Sequence, residues 1–530
     1  MDNVFDFRNR LINEYSSFSR SFSKVSAQDI LSKVEQEYDR GRYWPEPLIQ
    51  INPNYKRQST VQQLAHEGML HASCSHIFQT GKTEGKAADL HLYVHQLQAL
   101  AKAQKQQSYV VTTGTGSGKS LAFFVPIIDR ILKAKQADPQ KRTRAIVIYP
   151  MNALANSQLE ELDKFLHGYP DDQKPFTVAR YTGQESETDR KQIADNPPDI
   201  LLTNFMMLEL ILTRFEDVDR RVVEHCQGLE FLVLDELHTY RGRQGADVAL
   251  LVRRLRERLQ AHQLVCIGTS ATMSSTGTQA DRNQTVATVA SLLFGAQITE
   301  HDVIGETLER VTNPAKNIQA VKSFLKPALL KERHQWPDFA AFSDDSLAVW
   351  VELSLGIELP VDEPPRRARP ITLGDAARRL ADDAQCTLEE ASAGLQRFLV
   401  AAHNVKTPQG RAPFAFKLHQ FISGPGKVLA TLEPEGVRHI TLDAQRYAPG
   451  RQEEGTQLYP VHFCRDCGQE YHPVWRTGQS QVEYAPREID DISGDDDENA
   501  RYGFLCPARP GQAYRGSIED LPESWLDLTK

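Results

Sequence analysis

Long apolar runs are missing from this chain of 530 residues. No stretch reaches the roughly 18 consecutive apolar residues that a membrane-crossing helix needs, so no membrane partner is expected. The first residues, MDNVFDFRNRLINEY, are charged and lack the apolar core of a secretory signal. Cysteine is sparse: seven in 530, mostly scattered, which suits a reduced cytoplasmic location better than a disulfide framework. An excess of positive charge is lacking as well. Against 61 Lys and Arg stand 70 Asp and Glu, a net charge of −9, which argues against a uniformly basic nucleic-acid binder. It leaves open a protein that grips a strand through amides and small hydroxyls along one groove.

What is present is ordinary globular composition, 40% hydrophobic and 25% charged, with room for roughly three or four domains. Within it, Thr113 to Ser120 reads TGTGSGKS. The apolar, β-branched stretch Ser108–Thr112 before it suits a buried strand, and Leu121 to Lys133 after it has helical spacing. Gly114, Gly116 and Gly118 permit a tight loop whose amides point at phosphate oxygens, and Thr113, Thr115 and Ser117 complete it. Lys119 can then reach the β/γ phosphates of ATP, and the Ser120 hydroxyl can ligate Mg²⁺. The competing reading, a glycine-rich turn with an accidental lysine, does not account for strand, loop and helix falling in that order. The strict phosphate-loop pattern asks for glycine at 113, where this chain has threonine.

A second apolar strand, Leu229 to Leu234, delivers Asp235 and Glu236 at its carboxyl end, where open α/β sheets place their ligands. Asp235 would hold the metal and Glu236 would orient and deprotonate the attacking water. An isolated Asp-Glu pair is more often an exposed strand end. Here three further short strands empty into small polar residues: Ala145–Ile148 into YPMNAL, Asp199–Leu202 into Thr203-Asn204, and Val265–Gly268 into TSAT. Repeated βα units of this kind predict an α/β fold built on a parallel sheet.

This set resembles the first RecA-like motor domain of superfamily 2 (DEAD/DEAH-type) helicases over roughly residues 90–273. TGTGSGKS is similar to motif I, whose first position in that superfamily is often Ala or Thr. DELH resembles a DEAH-type motif II, and Ser270-Ala271-Thr272 resembles motif III. By that resemblance His238, Ser270 and Thr272 would couple hydrolysis to movement. Pro150, Asn152, Thr182, Gly183, Thr203 and Asn204 (motifs Ia to Ic) would touch nucleic acid, and Gln96 would read adenine. The segments YPMNALANSQ, TNFMMLELILTR, DELHTYRGRQGADVALLVRRL and FCRDCGQEYHPV resemble the large bacterial YprA-like helicases with a DUF1998-type domain. That group includes repair helicases and the helicase of the DISARM phage-defence system.

Outside the motor domain, expected at 86–275, the sequence is less explicit. Residues 1–85 read as mainly helical, 276–358 as a helical extension, and 359–403 as a candidate winged-helix-like segment. In the last of these, Thr372 and Thr387 are placed to cap two helices. The Pro-rich stretch ELPVDEPPRRARP reads as a linker; Arg366, Arg367 and Arg369 could touch phosphates, but a solvated loop is the simpler reading. Residues 404–530 read as a mixed, β-rich region. Within it Cys464-Arg465-Asp466-Cys467-Gly468 has the shape of a zinc knuckle, with Cys506, His462 and His472 as candidate further ligands. A reduced pair or a degenerate knuckle remains the alternative for Zn²⁺.

One part of the machine is missing from the string. No QxxGRxxR-like motif VI follows Met273, so no second RecA-like domain is found. The expectation is therefore an ATP- and Mg²⁺-dependent DNA helicase or translocase motor, or its amino-terminal half. By resemblance it would move 3′ to 5′ on single strands or tailed duplex, in defence or repair, with the second motor domain on a protein partner or another segment. The competing function is an ATP-gated scaffold that loads a nuclease or methyltransferase.

Overall fold

A computed structural model describes residues 3–21, 24–114, 116–271, 278–360, 363–424, 426–478, 481–491 and 500–507. Thr115 and Thr272 lie outside the described residues. The chain forms two compact units, neither continuous in sequence: 52–318 with 342–368, and 1–51 with 319–341 and 369–530.

The first unit is built on seven strands: β1 (Tyr109–Thr112), β2 (Ala145–Tyr149), β3 (Val178–Tyr181), β4 (Ile200–Asn204), β5 (Phe231–Leu234), β6 (Val265–Ser270) and β7 (Val303–Gly305). Their order is β7-β1-β6-β5-β2-β4-β3, and every pairing is parallel. The strands read as unbroken apolar runs because both faces are covered. Alternate residues go to opposite sides: Ala145 and Val147 join one core cluster with Phe231 and Val233, while Ile146 and Ile148 join another with Leu232 and Leu234. The first cluster packs beneath α1 (Val94–Gln104) and α2 (Leu121–Ala137), the second beneath α3 (Gly242–Arg258) and α4 (Gln279–Phe294). Helix α2 carries Pro126 in its interior, which leaves the Ala122 carbonyl without its helical amide. The Tyr109 hydroxyl of β1 donates to that carbonyl at 2.8 Å, so the strand before the loop is stitched to the helix after it.

The second unit opens with helices Val4–Ser21 and Gln28–Asp39, beyond which the chain turns to short strands and short helices rather than staying helical up to residue 85. Trp44 lies half-buried in an aromatic cluster, with ring centroids 5.3 Å from Tyr38 and 6.0 Å from Tyr15. Helices Leu373–Ala384 and Leu388–His403 are capped by Thr372 and Thr387, as their spacing predicts. The strand Ile371–Thr372 before them pairs with Leu48–Ile49. The carboxyl-terminal part forms an antiparallel sheet that includes Val428–Ala430, Tyr459–Phe463 and Glu470–Thr477.

A buried ion pair holds this unit together. Arg438, 2% exposed at its side chain, forks onto Asp29 with two 2.8 Å bonds and meets Glu470 at 3.0 Å. Burial pushes the Asp29 carboxyl up, but Arg438 and the amides of Gly436 and Ile30 outweigh it and hold the group at about 2. A depressed carboxyl stabilises the fold above its ordinary value of 3.8 and loses that contribution as pH falls towards 2. Asp29→Asn should therefore destabilise this unit by about 2–3 kcal/mol at neutral pH. The gap in urea midpoint between wild type and variant should close below the ordinary carboxylate range. A gap that persists unchanged at pH 2 would show that charge is not what Asp29 contributes.

Candidate nucleotide site

The loop between β1 and α2 takes the shape its glycines permit. Gly116 and Gly118 have φ of +79° and +67°, a region that side chains disfavour. A Cβ at Gly118 would also stand 2.7 Å from the Gln96 amide nitrogen. The loop is braced from within, with Thr113 Oγ1 2.6 Å from Ser117 Oγ. Helix α1 braces it from beside: Gln96 Nε2 donates to the Gly118 carbonyl at 2.8 Å, and His95 Nε2 lies 3.0 Å from the Ser117 carbonyl. The Gln96 side-chain oxygen accepts from the Tyr93 amide. Gln96 is thus a structural support of the phosphate loop, whatever else it reads.

Strand β5 brings the carboxylates opposite. The Asp235 amide donates to Ile148 O at 3.0 Å, which anchors the strand end to β2. Asp235 accepts a hydrogen bond from Thr269 Oγ1, and the same oxygen accepts from the Glu236 amide at 3.2 Å. Thr269, one residue before the predicted SAT triplet, therefore ties the Asp235 carboxylate to the Glu236 backbone. Burial pushes the Asp235 carboxyl up, and the Thr269 hydrogen bond opposes that rise. Glu236 has φ +52°, a strained conformation for a residue with a side chain, and it turns its carboxylate towards the loop. Lys119 Nζ lies 3.6 Å from Glu236 Oε1. That ammonium is buried and among the described residues makes no hydrogen bond, as expected of a cation placed for an anionic ligand. His238 Nδ1 lies 3.3 Å from Glu236 Oε2 and 3.3 Å from Ser270 Oγ, which links the second predicted motif to the third.

Gly114 is held differently. Its amide donates to Glu306 Oε2 at 3.1 Å, from the residue after β7. Above it stands Arg367, from the Pro-rich stretch read as a solvated loop. Instead, Arg366–Arg367 pairs antiparallel with Ile357–Glu358, and the Arg367 side chain is only 14% exposed. A hydrogen-bonded strand partner and an acidic neighbour account for the difference. The strand pairing is local, but Glu306 lies 61 residues away along the chain, and no local periodicity announces that contact.

The residues predicted to touch nucleic acid gather at the carboxyl ends of β2, β3 and β4. Asn204 Nδ2 donates to Asn152 Oδ1 at 2.7 Å and to Thr182 O at 3.1 Å. Asn204 also caps the helix Phe205–Thr213. Glu185 accepts from the amides of Thr182 and Gly183. Thr203 is fully buried, its hydroxyl donating to Tyr181 O, so it supports this band rather than lining it. Pro150 follows β2 directly, beside Met151, which is 60% exposed.

A zinc site is not supported among the described residues. The turn Cys464–Gly468 has the knuckle shape, with the Gly468 amide bonded to Cys464 O at 2.8 Å. Among the described residues, however, no three His, Cys, Asp or Glu stand together as a metal would require. His472 is buried with Nδ1 3.2 Å from Pro460 O, and burial lowers it to about 4. His462 stacks on Tyr471 instead, and Cys506 Sγ donates to Glu470 O. Neighbouring residues on one strand face opposite ways, so the ligand positions close in sequence diverge in space. Magnesium is another matter. Ser120 at the start of α2 and buried Asp235 are hard oxygen donors beside a buried, unbonded cation, and they fit Mg²⁺ held with a nucleotide's phosphates. Such an ion would neutralise charge on the phosphates.

A parallel sheet with a phosphate loop at one strand end and a braced Asp-Glu pair at another defines a P-loop ATP hydrolase with a RecA-like fold. Residues 93–280 match the DEAD/DEAH box helicase family, and over this segment the chain is similar to helicases of the YprA and Lhr type. The chain is 34% identical over 186 residues to the uncharacterized ATP-dependent helicase YprA of Bacillus subtilis, covering 35% of this chain and 23% of that protein. It is 32% identical to the Lhr helicase/uracil glycosylase of Escherichia coli, covering 33% and 12%. The DUF1998 helicase MrfA in its crystal structure with DNA is 23% identical, covering 53% and 37% at a TM-score of 0.37. The chain thus spans about a quarter or less of the curated relatives named here.

Proposed function

We propose that this chain is the ATP-hydrolysing portion of a DNA helicase or translocase. The observation that carries the reading is the buried, unbonded Lys119 ammonium facing Glu236 across the phosphate loop. ATP entering there draws Lys119 off Glu236 and onto its phosphates. Glu236 is thereby freed to orient and deprotonate water, and Asp235 together with Ser120 would hold Mg²⁺. His238 and Ser270 transmit the change to the strand-binding band of Asn152, Thr182, Gly183 and Asn204; the adenine contact of Gln96 is what the family resemblance implies, while its side chain braces the loop. DNA is favoured over RNA by the resemblance to YprA-like helicases, and phage defence or repair is the setting that resemblance suggests. A partner carrying the second RecA-like domain belongs to the same proposal.

Fluorescence anisotropy with matched DNA and RNA oligonucleotides tests the substrate. Single-stranded DNA should bind more tightly with a non-hydrolysable ATP analogue than without nucleotide, by roughly the 5–150-fold that coupling between two sites supplies. RNA bound as tightly as DNA, or an affinity indifferent to nucleotide, would overturn the reading.

A further inference from the structure

Two cations flank the phosphate loop, and each rests on a protein carboxylate. Lys119 rests on Glu236, 3.6 Å away. The other is Arg367, whose Nη2 lies 3.4 Å from Glu306 Oε2. Arg367 Nη2 also donates to the Tyr55 hydroxyl at 2.6 Å, and Nη1 donates to Asn52. The guanidinium carbon sits 5.7 Å from the Tyr55 ring centroid. A Cβ on Gly114 would meet Arg367 Nη2 at 3.0 Å and the Tyr55 hydroxyl at 3.2 Å, so glycine is what lets the guanidinium reach the loop backbone. Glu306 in turn accepts from the Gly114 amide, which places a carboxylate at the rim of a loop built to hold anions. A polyphosphate entering the loop meets that negative charge, and Arg367 is the group placed to offset it.

We propose that Arg367 is a second phosphate-binding cation of the ATP site, supplied by residues 342–368 of the same unit. The proposal rests on the ATP-site reading above. Glu306, Asn52 and Tyr55 hold the guanidinium beside the loop. Among the described residues its Nε is buried and makes no hydrogen bond, so the fork keeps a donor to offer. When a nucleoside triphosphate binds, the guanidinium shifts its charge from Glu306 to the phosphate chain, as Lys119 shifts from Glu236. A fork of planar donors suits phosphate oxygens better than it suits a single carboxylate oxygen. Because the charge met is larger for the triphosphate, Arg367 favours ATP over ADP.

The test measures mant-ATP and mant-ADP affinities, with Mg²⁺, on the full chain carrying Arg367→Ala, Arg367→Lys or Glu306→Gln, alongside thermal melting. Arg367→Ala should weaken ATP binding about 10- to 100-fold, the range of one lost charge-assisted bond to phosphate. ADP should weaken several-fold less. Arg367→Lys should fall between, which keeps the test open if the alanine variant fails to fold. Glu306→Gln should leave ATP affinity equal or higher. If Arg367 merely ties strands together, its variants and Glu306→Gln will lower the melting temperature alike and leave the ATP:ADP ratio untouched, and the proposal falls. Wild type that binds neither nucleotide would overturn the ATP-site reading itself, whereas wild-type binding with an unchanged ratio overturns only the role of Arg367.

Discussion

Glu236→Gln should bind ATP as wild type does and turn it over about 10²- to 10⁴-fold more slowly, the range for a lost general base. Lys119→Ala should fail one step earlier, with ATP affinity reduced about 100-fold, because its ammonium is the buried charge that meets the phosphates. The separation follows from the geometry. Among the described residues Lys119 Nζ is buried without a hydrogen bond, and its counter-charges are Glu236 at 3.6 Å and the buried Asp235. Removing the lysine strips the loop of the charge at its centre. Removing the Glu236 charge takes away a competitor for that lysine, so the glutamine variant should bind ATP no more weakly, while the strained backbone at φ +52° still aims the side chain at the water position. Equilibrium binding and single-turnover hydrolysis measured on the same preparations separate the two. A glutamine variant that hydrolyses ATP at the wild-type rate would remove Glu236 from the chemistry, and an alanine variant with full affinity would remove Lys119 from the site.

Much of this site could be read from the string because its parts are local. The strand, glycine loop and helix of residues 109–137 are consecutive, and so are the strand and carboxylates of 231–236. Each announces itself through periodicity and turn chemistry within about twenty residues. Thr269 was within reach, since it adjoins the SAT triplet, but its hydroxyl matters only because β6 lies beside β5, and strand order is not written locally. Arg367 was beyond reach for the same reason on a larger scale. Its partners are Asn52, Tyr55 and Glu306, and the unit that unites them is assembled from two separate stretches of chain. The knuckle at Cys464–Gly468 shows the reverse case. Its turn is local and forms as predicted, whereas the two missing ligands depended on which face of a strand each side chain takes.

Turnover by the chain alone should be slow, and a separately supplied second RecA-like domain should raise it by roughly 10³- to 10⁵-fold, the value of an arginine finger. Among the described residues there is one seven-stranded parallel sheet. In the helicases this chain resembles, ATP is closed between two such domains, and the second supplies arginines to the γ-phosphate. Arg367 does not replace that group. It approaches Gly114 from the same unit as the loop and is tethered there by Glu306 and Tyr55, so it assists binding rather than arriving with domain closure. The two arginines should therefore separate kinetically. Loss of Arg367 should raise the KM for ATP with or without the added domain. Loss of the finger arginine on the added domain should abolish stimulation of kcat and leave KM nearly unchanged. Steady-state ATPase assays with single-stranded DNA present, with the added domain titrated in, measure both. A chain that alone reaches the roughly 1–10³ s⁻¹ of ordinary enzymes, or an added domain that stimulates equally well without its arginine, would show that hydrolysis here does not depend on a second motor domain.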